Sequence, residues 1–172
     1  MPYPHLIYDI ANQLPRFGLI LRLIPFVAAG IVLYLYGEKL SSNELILQLG
    51  IKKQIFGRRF AIVYLSIGTF MFVAVSVAAI YPYFAARYVY NNKQYQVVEG
   101  TVQDYQPMPE SGHQDERFTV GNIGFAFSDF DLTDYGYNNA ASHGGAIKPG
   151  LKVRITYFDK GRKNVILKLE TE

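Results

Sequence analysis

Three groups of residues in this sequence have the types and spacing to do chemistry. His143 is followed by Gly144 and Gly145. A glycine pair lets backbone amides approach a ligand, so the trio could form an oxyanion hole or an anion cradle. Asp129, Asp131 and Asp134 begin like a calcium loop. An EF-hand, however, needs a ligand where Thr133 stands, a Gly where Asp134 stands and a Glu where Ala140 stands. Glu110, His113, Asp115 and Glu116 could hold a metal, but they share one turn without ligand spacing. The competing account is structural: His143 hydrogen-bonds a loop to its domain, the glycines supply positive φ, and the acids are solvated. That account is favoured, since no Ser, Asp and His stand in the strand–turn–helix setting of a nucleophile elbow. The absence of cysteine removes disulfides, thiolate metal sites and Cys nucleophiles. The expectation is no metal and no cofactor.

The stretch "YNNAASHGGAIKPGLKVRITYF", residues 137–158, joins loop chemistry to a strand. Tyr and Asn combine aromatic area with adaptable hydrogen bonding, as binding loops do. The candidate binding residues are therefore Tyr135, Tyr137, Asn138, Asn139, His143, Gly144 and Gly145. Phe118, Phe125, Phe127 and Tyr157 could stack on nucleobases in an OB-type barrel. Core packing is the favoured role for them, and no nucleic-acid partner is expected. The net charge of +3 is small, and the basic residues are dispersed.

Two elements must carry these residues relative to a bilayer. Of the 172 residues, 50% are apolar and only 18% charged, and the apolar ones concentrate before residue 85. "FGLILRLIPFVAAGIVLYLY" (17–36) and "AIVYLSIGTFMFVAVSVAAIYPYF" (61–84) each have the roughly 20 residues that cross about 30 Å of hydrocarbon as a helix. Arg22 sits near one end, where its stem can snorkel to the headgroups. Pro25 should kink the first span. The N-terminus lacks a basic n-region and a small-residue cleavage site, so the first span is expected to stay as an anchor. Ala74 and Ala78 permit close contact with the first span or with another copy, which leaves a homo-oligomer open.

Between the spans lie Lys39, Lys52, Lys53, Arg58 and Arg59. The positive-inside rule makes residues 37–60 cytoplasmic and puts both chain ends on the far side, the periplasm of a bacterial inner membrane. Ser41 to Glu44 fits a capping box that opens an amphipathic helix on the inner membrane face. In residues 1–16, Leu6, Ile10 and Leu14 lie four apart, which predicts a second interfacial helix ended by Pro15. Residues 85–94 read as a linker.

From residue 95 to 172 the period changes to two. "YQVVEGTVQDYQ", "ERFTV", "NIGFAFS", "LKVRITYF" and "VILKLE" give five strands, with Gly121 and Asn122 as a tight hairpin turn. Leu151, Val153, Ile155 and Tyr157 should share one face. The expected fold is α+β: two transmembrane helices followed by a five-stranded antiparallel small β-barrel of OB or SH3 type. The insertion from Asp129 to Gly150 should pack on that barrel through Phe130, Tyr135, Tyr137 and Ile147.

"VVEGTVQDYQPMPESGHQDERFTVGNIGFAFSDFD" and "GYNNAASHGGAIKPGLKVRITY", with "SHGG" and "GLKVRI" most distinctive, resemble a C-terminal module of uncharacterised, membrane-anchored bacterial proteins. The resemblance covers residues 97–170 and implies a bacterial source but no activity. Two functions are expected in order. The first is a non-enzymatic inner-membrane protein whose periplasmic barrel binds another membrane or periplasmic protein, as an envelope-complex accessory subunit or an immunity-type protein. The alternative is a small-ligand sensor or enzyme with its site around His143.

Overall fold

The computed structural model describes residues 3–15, 17–41, 57–109, 114–130 and 135–172. The capping box after Ser41 and the amphipathic helix expected beyond it lie outside the described residues. The chain divides into two compact units, Arg16–Ile80 and Met1–Pro15 with Tyr81–Glu172.

The first unit is helical. It contains α1 (Gly18–Ser41) and the first part of α2 (Arg58–Asn91). Each helix has an 18-residue window of mean hydropathy 2.2, only 6% of which is buried. Both are long and apolar enough to cross a membrane. The two helices approach closely at Gly30, where a Cβ would lie 3.0 Å from Leu65 Cδ1 and 3.2 Å from Leu65 Cα. Ala74 and Ala78 are exposed, so this small-residue pair is not the α1 contact.

In the second unit, α2 runs on to Asn91, through most of the predicted linker. The reason is a stripe at helical spacing: Tyr83, Ala86 and Tyr90 pack into a cluster with Ile10, Tyr135, Val165 and Leu167. The helix ends in a Schellman motif. Gln94 N donates to Val89 O at 3.0 Å and Lys93 N to Tyr90 O at 3.1 Å, with Lys93 at φ 56°.

The sheet has six strands, all pairs antiparallel, in the order β1-β6-β5-β2-β3-β4. These are β1 (His5–Asp9), β2 (Gln96–Gln106), β3 (Glu116–Val120), β4 (Ile123–Phe127), β5 (Lys152–Asp159) and β6 (Asn164–Thr171). The five strands expected after residue 95 are all present, and the hairpin turns at Gly121, φ 61°. Two expectations are corrected. Residues 5–9 form a strand and Ile10–Asn12 a 3₁₀ turn, not an interfacial helix. The sheet is open and six-stranded, not a closed five-stranded barrel.

One observation accounts for both corrections. The outer edge of β6 is already occupied. β1 pairs with Lys168 to Thr171, and beyond it Tyr137 N donates to Ile166 O at 2.9 Å. Gly136 makes that approach feasible, since a Cβ there would lie 2.8 Å from Ile166 O. β4 reaches β6 through a side chain instead, Asn164 Nδ2 donating to Gly124 O at 2.8 Å.

The main core lies on one face of the sheet. Val102, Phe118, Val120, Phe125, Phe127, Val153, Ile155 and Tyr157 fill it together with Tyr137 and Ile147 from the insertion. The four aromatics expected in the core are all there, with Phe118 and Phe125 stacked at 5.2 Å and Phe125 edge-on to Tyr157 at 5.3 Å. A register shift opposite Thr156 and Tyr157 adds a residue to β6. Ile166 and Leu169 thereby face the main core, while Val165 and Leu167 face the α2 cluster. β6 is thus buried on both sides.

Candidate functional site

The insertion is held at three places. Tyr137 is buried in the main core with its hydroxyl accepting from Ala146 N at 2.8 Å. Burial raises the Tyr137 phenol above its ordinary value, the Ala146 amide opposes this, and the nearby Glu116 charge adds to it. Tyr135 turns the other way, packs edge-on to Tyr83 at 5.0 Å and donates its hydroxyl to Leu14 O. Between them and β5, residues Ala141–His143 form a second 3₁₀ turn.

That turn closes through glycine. Gly144 takes φ 87°, a conformation in which a Cβ is strained, and its N–H donates to Ala141 O at 3.1 Å. Gly145 N donates to Ala140 O at 2.9 Å, and a Cβ on Gly145 would lie 2.1 Å from Asn139 O. The amides of His143, Gly144 and Gly145 are therefore spent on Ala140 and Ala141 carbonyls. They point into the turn, so the anion-cradle reading has no donors left.

His143 is mostly exposed and pairs through Nδ1 with Asp129 Oδ2. Ser142 Oγ lies 3.5 Å from the same ring nitrogen. A Ser–His–Asp relay needs serine and carboxylate on opposite ring nitrogens. Here both address Nδ1, so the trio cannot activate the serine.

The acidic residues part company. Asp115 is on the surface, 4.0 Å from Arg117. Glu116 is fully buried, with Oε2 accepting from Ala141 N at 2.9 Å and Oε1 without a hydrogen-bond partner among the described residues. Burial raises its carboxyl above the ordinary value. The Ala141 amide and the Tyr105 hydroxyl lower it, and the Asp129 charge raises it. Tyr105 in turn is pushed up to about 12 by burial and then by Glu116. Asp129 Oδ1 is also buried and unpartnered among the described residues. Glu110, His113, Asp131 and Asp134 lie outside those residues. Among the described ones, no three His, Asp or Glu converge as metal ligands. The sequence reading missed Glu116 as a buried group. The signal was present, since in "ERFTV" it alternates in phase with Phe118 and Val120.

A groove of about 410 Å³ runs beside this turn. Ile7 and Tyr8 of β1 form one wall, and Tyr137, Asn138, Asn139, Gly144 and Ala146 form the other. Of the seven candidate binding residues, Tyr137, Asn138, Asn139 and Gly144 line it. Tyr135, His143 and Gly145 do not: they anchor the N-terminal segment, the Asp129 contact and the turn respectively. β1 is the outermost strand of the sheet order at this point, with β6 as its neighbour. A wider cleft of about 1150 Å³ between β3–β4 and the β5–β6 turn contains none of the seven. Of its three acids, Asp104 and Asp159 accept from Thr119 Oγ1 and Gly161 N, and Asp115 lies 4.0 Å from Arg117.

No family model, curated protein or solved structure matches this chain.

Proposed function

We propose that this is a non-enzymatic membrane protein that presents its sheet unit as a protein-interaction module. The observation that carries the reading is the groove between edge strand β1 and residues 137–146. It combines the outermost strand of the sheet with two tyrosines and two asparagines, the means by which proteins bind extended segments of other proteins. The glycine amides and His143 are committed to internal contacts, which favours binding over catalysis.

The membrane setting is part of the proposal. Both long apolar helices have 6% of their apolar windows buried, whereas the core helix of a soluble protein is mostly buried. The pairing of β1 with β6 requires the segments before α1 and after α2 to share one side, as two spans would provide. The basic residues between the spans support the periplasm of a bacterial inner membrane as that side. The partner is then another envelope or membrane protein, with this chain as accessory subunit or immunity-type protein.

Purification from membranes in mild detergent tests the reading. A stoichiometric protein partner is expected, lost on Asn139→Arg in the groove and retained on Arg162→Glu in the wider cleft. A folded chain recovered alone, or partner loss indifferent to the groove, would overturn it.

A further inference from the structure

We infer that Glu116 is a proton-operated latch for the 141–146 turn: with a proton on its buried carboxyl the turn is fastened to β3, and without one it loosens. The inference rests on the groove reading only for its consequence, because Gly144 and Ala146 of this turn form the groove wall.

The geometry sets two carboxyls at the two ends of the 3₁₀ turn Ala141–His143 that opens this segment. Glu116 Oε2 accepts from Ala141 N, the first residue, and Asp129 Oδ2 pairs with His143, the last. Each carboxyl has its other oxygen buried without a partner among the described residues. In the sequence these residues belong to two separate acidic clusters, and the fold brings one member of each to the same turn. A buried carboxylate oxygen lacking a donor is costly, and a second carboxylate nearby makes the charged form costlier. Among the described residues, the groups acting on Glu116 are Tyr105 from β2, the Met108 backbone before β3, Asp129 after β4, and Tyr137 and the Ala141 amide from the insertion, and none of these is a cation. A proton is the counter-charge this site accepts, and it leaves the Ala141 bond in place.

The turn passes the effect to the groove wall by short links. Gly144 N bonds Ala141 O, Gly145 N bonds Ala140 O, and Ala146 N bonds Tyr137 Oη. If Ala141 loses its anchor, this ladder loses its fixed end.

The sign follows from the burial. Losing the proton strengthens the Ala141 bond itself but leaves a charge on a fully buried carboxyl beside Asp129, with one oxygen undonated among the described residues. That cost is larger than one hydrogen bond returns. The latched state binds the proton more tightly than the released state, whose carboxyl titrates at its ordinary value of 4.5. Latching is complete below that value, weakens as pH rises toward the latched-state value, and levels off above it.

Hydrogen exchange of the full chain in detergent, without a partner, reads this directly. After correction for intrinsic exchange, protection of residues 138–147 should fall as pH rises above 4.5, by at most about tenfold per pH unit, before it levels off. Protection of β5 and β6 should stay constant. Glu116→Gln, neutral and still an acceptor for Ala141, should hold protection within about twofold across the range. Asp129→Asn removes the neighbouring charge, so levelling should occur at lower pH with a smaller total fall. That variant decides the matter should Glu116→Gln lose its overall protection. A flat wild-type profile, an unchanged fall in folded Glu116→Gln, or an unmoved levelling point in Asp129→Asn would overturn the latch. A missing partner would not, since no partner takes part.

Discussion

The N–H of Tyr137 donates to the carbonyl of Ile166 at 2.9 Å, on the stretch of β6 just beyond the residues that β1 covers. Two remote segments thus divide one strand edge. β1 brings the start of the chain and Tyr137 the insertion, so the groove wall and the sheet edge are built on the same strand. The groove exists because neither segment covers β6 alone.

The sheet unit should therefore depend on residues 3–15. Ile10 is fully buried, Arg87 Nη1 donates to Ile10 O at 3.0 Å, and Tyr83 Oη donates to Gln13 O at 3.2 Å. Ile10→Ala should cost about 2–5 kcal/mol, the range for a buried Ile or Leu truncated to Ala. A fragment from residue 81 onward should melt lower than the same fragment supplied with a peptide of residues 3–15. Equal melting temperatures would mean the strand is dispensable.

The two adjacent glycines should respond differently. Gly144 has open space for a Cβ but a positive φ, so Gly144→Ala should cost about 1–3 kcal/mol of backbone strain. A Cβ at Gly145 would collide with the Asn139 and Ala140 backbone, which cannot swing aside as a side chain can. Gly145→Ala should exceed about 3 kcal/mol, beyond ordinary overpacking. Thermal melts of the two variants in detergent give the order, and the reverse order would contradict the turn geometry.

Much of the sheet unit was legible because its signals are local. Val153, Ile155 and Tyr157 alternate without interruption, and Gly121–Asn122 can serve only as a turn between its two strands. β1 was not legible. Leu6, Ile10 and Leu14 have helical spacing, yet Leu6 is 52% and Leu14 76% exposed and only Ile10 is buried. What makes the segment a strand is the edge of β6, more than 150 residues away in the numbering, and no local pattern reports that. The same holds for residues 85–91, which are helical because Ala86, Val89 and Tyr90 pack on the sheet. At the site, the loop residues were read from composition alone, which cannot distinguish Tyr137 in the groove from Tyr135 beneath the N-terminal segment.

Topology gives a third test. Tags placed before His5 and after Glu172 should be protected or exposed together, because β1 and β6 belong to one sheet. A tag within residues 42–56 should have the opposite accessibility if both long helices span. Under the proposed topology that tag is expected on the cytoplasmic side. Terminal tags on opposite sides would contradict the β1–β6 pairing itself.

His143 provides the sharpest division between binding and chemistry. Its ring is mostly exposed, its Nδ1 is held by Asp129, and it does not line the groove. His143→Gln keeps a donor for Asp129 while removing the imidazole as an acid or base. The interaction reading expects that variant to fold and to recover its partner at close to the wild-type yield. Asn139→Arg, which puts a long cation in the groove wall, should recover about a tenth or less, the loss that about 1.4 kcal/mol of binding energy produces. The opposite pattern, with His143→Gln well folded but inactive in the cell and Asn139→Arg indifferent, would move the site from the groove to the Asp129–His143 pair. A sensor or enzyme would then be the better account of the protein.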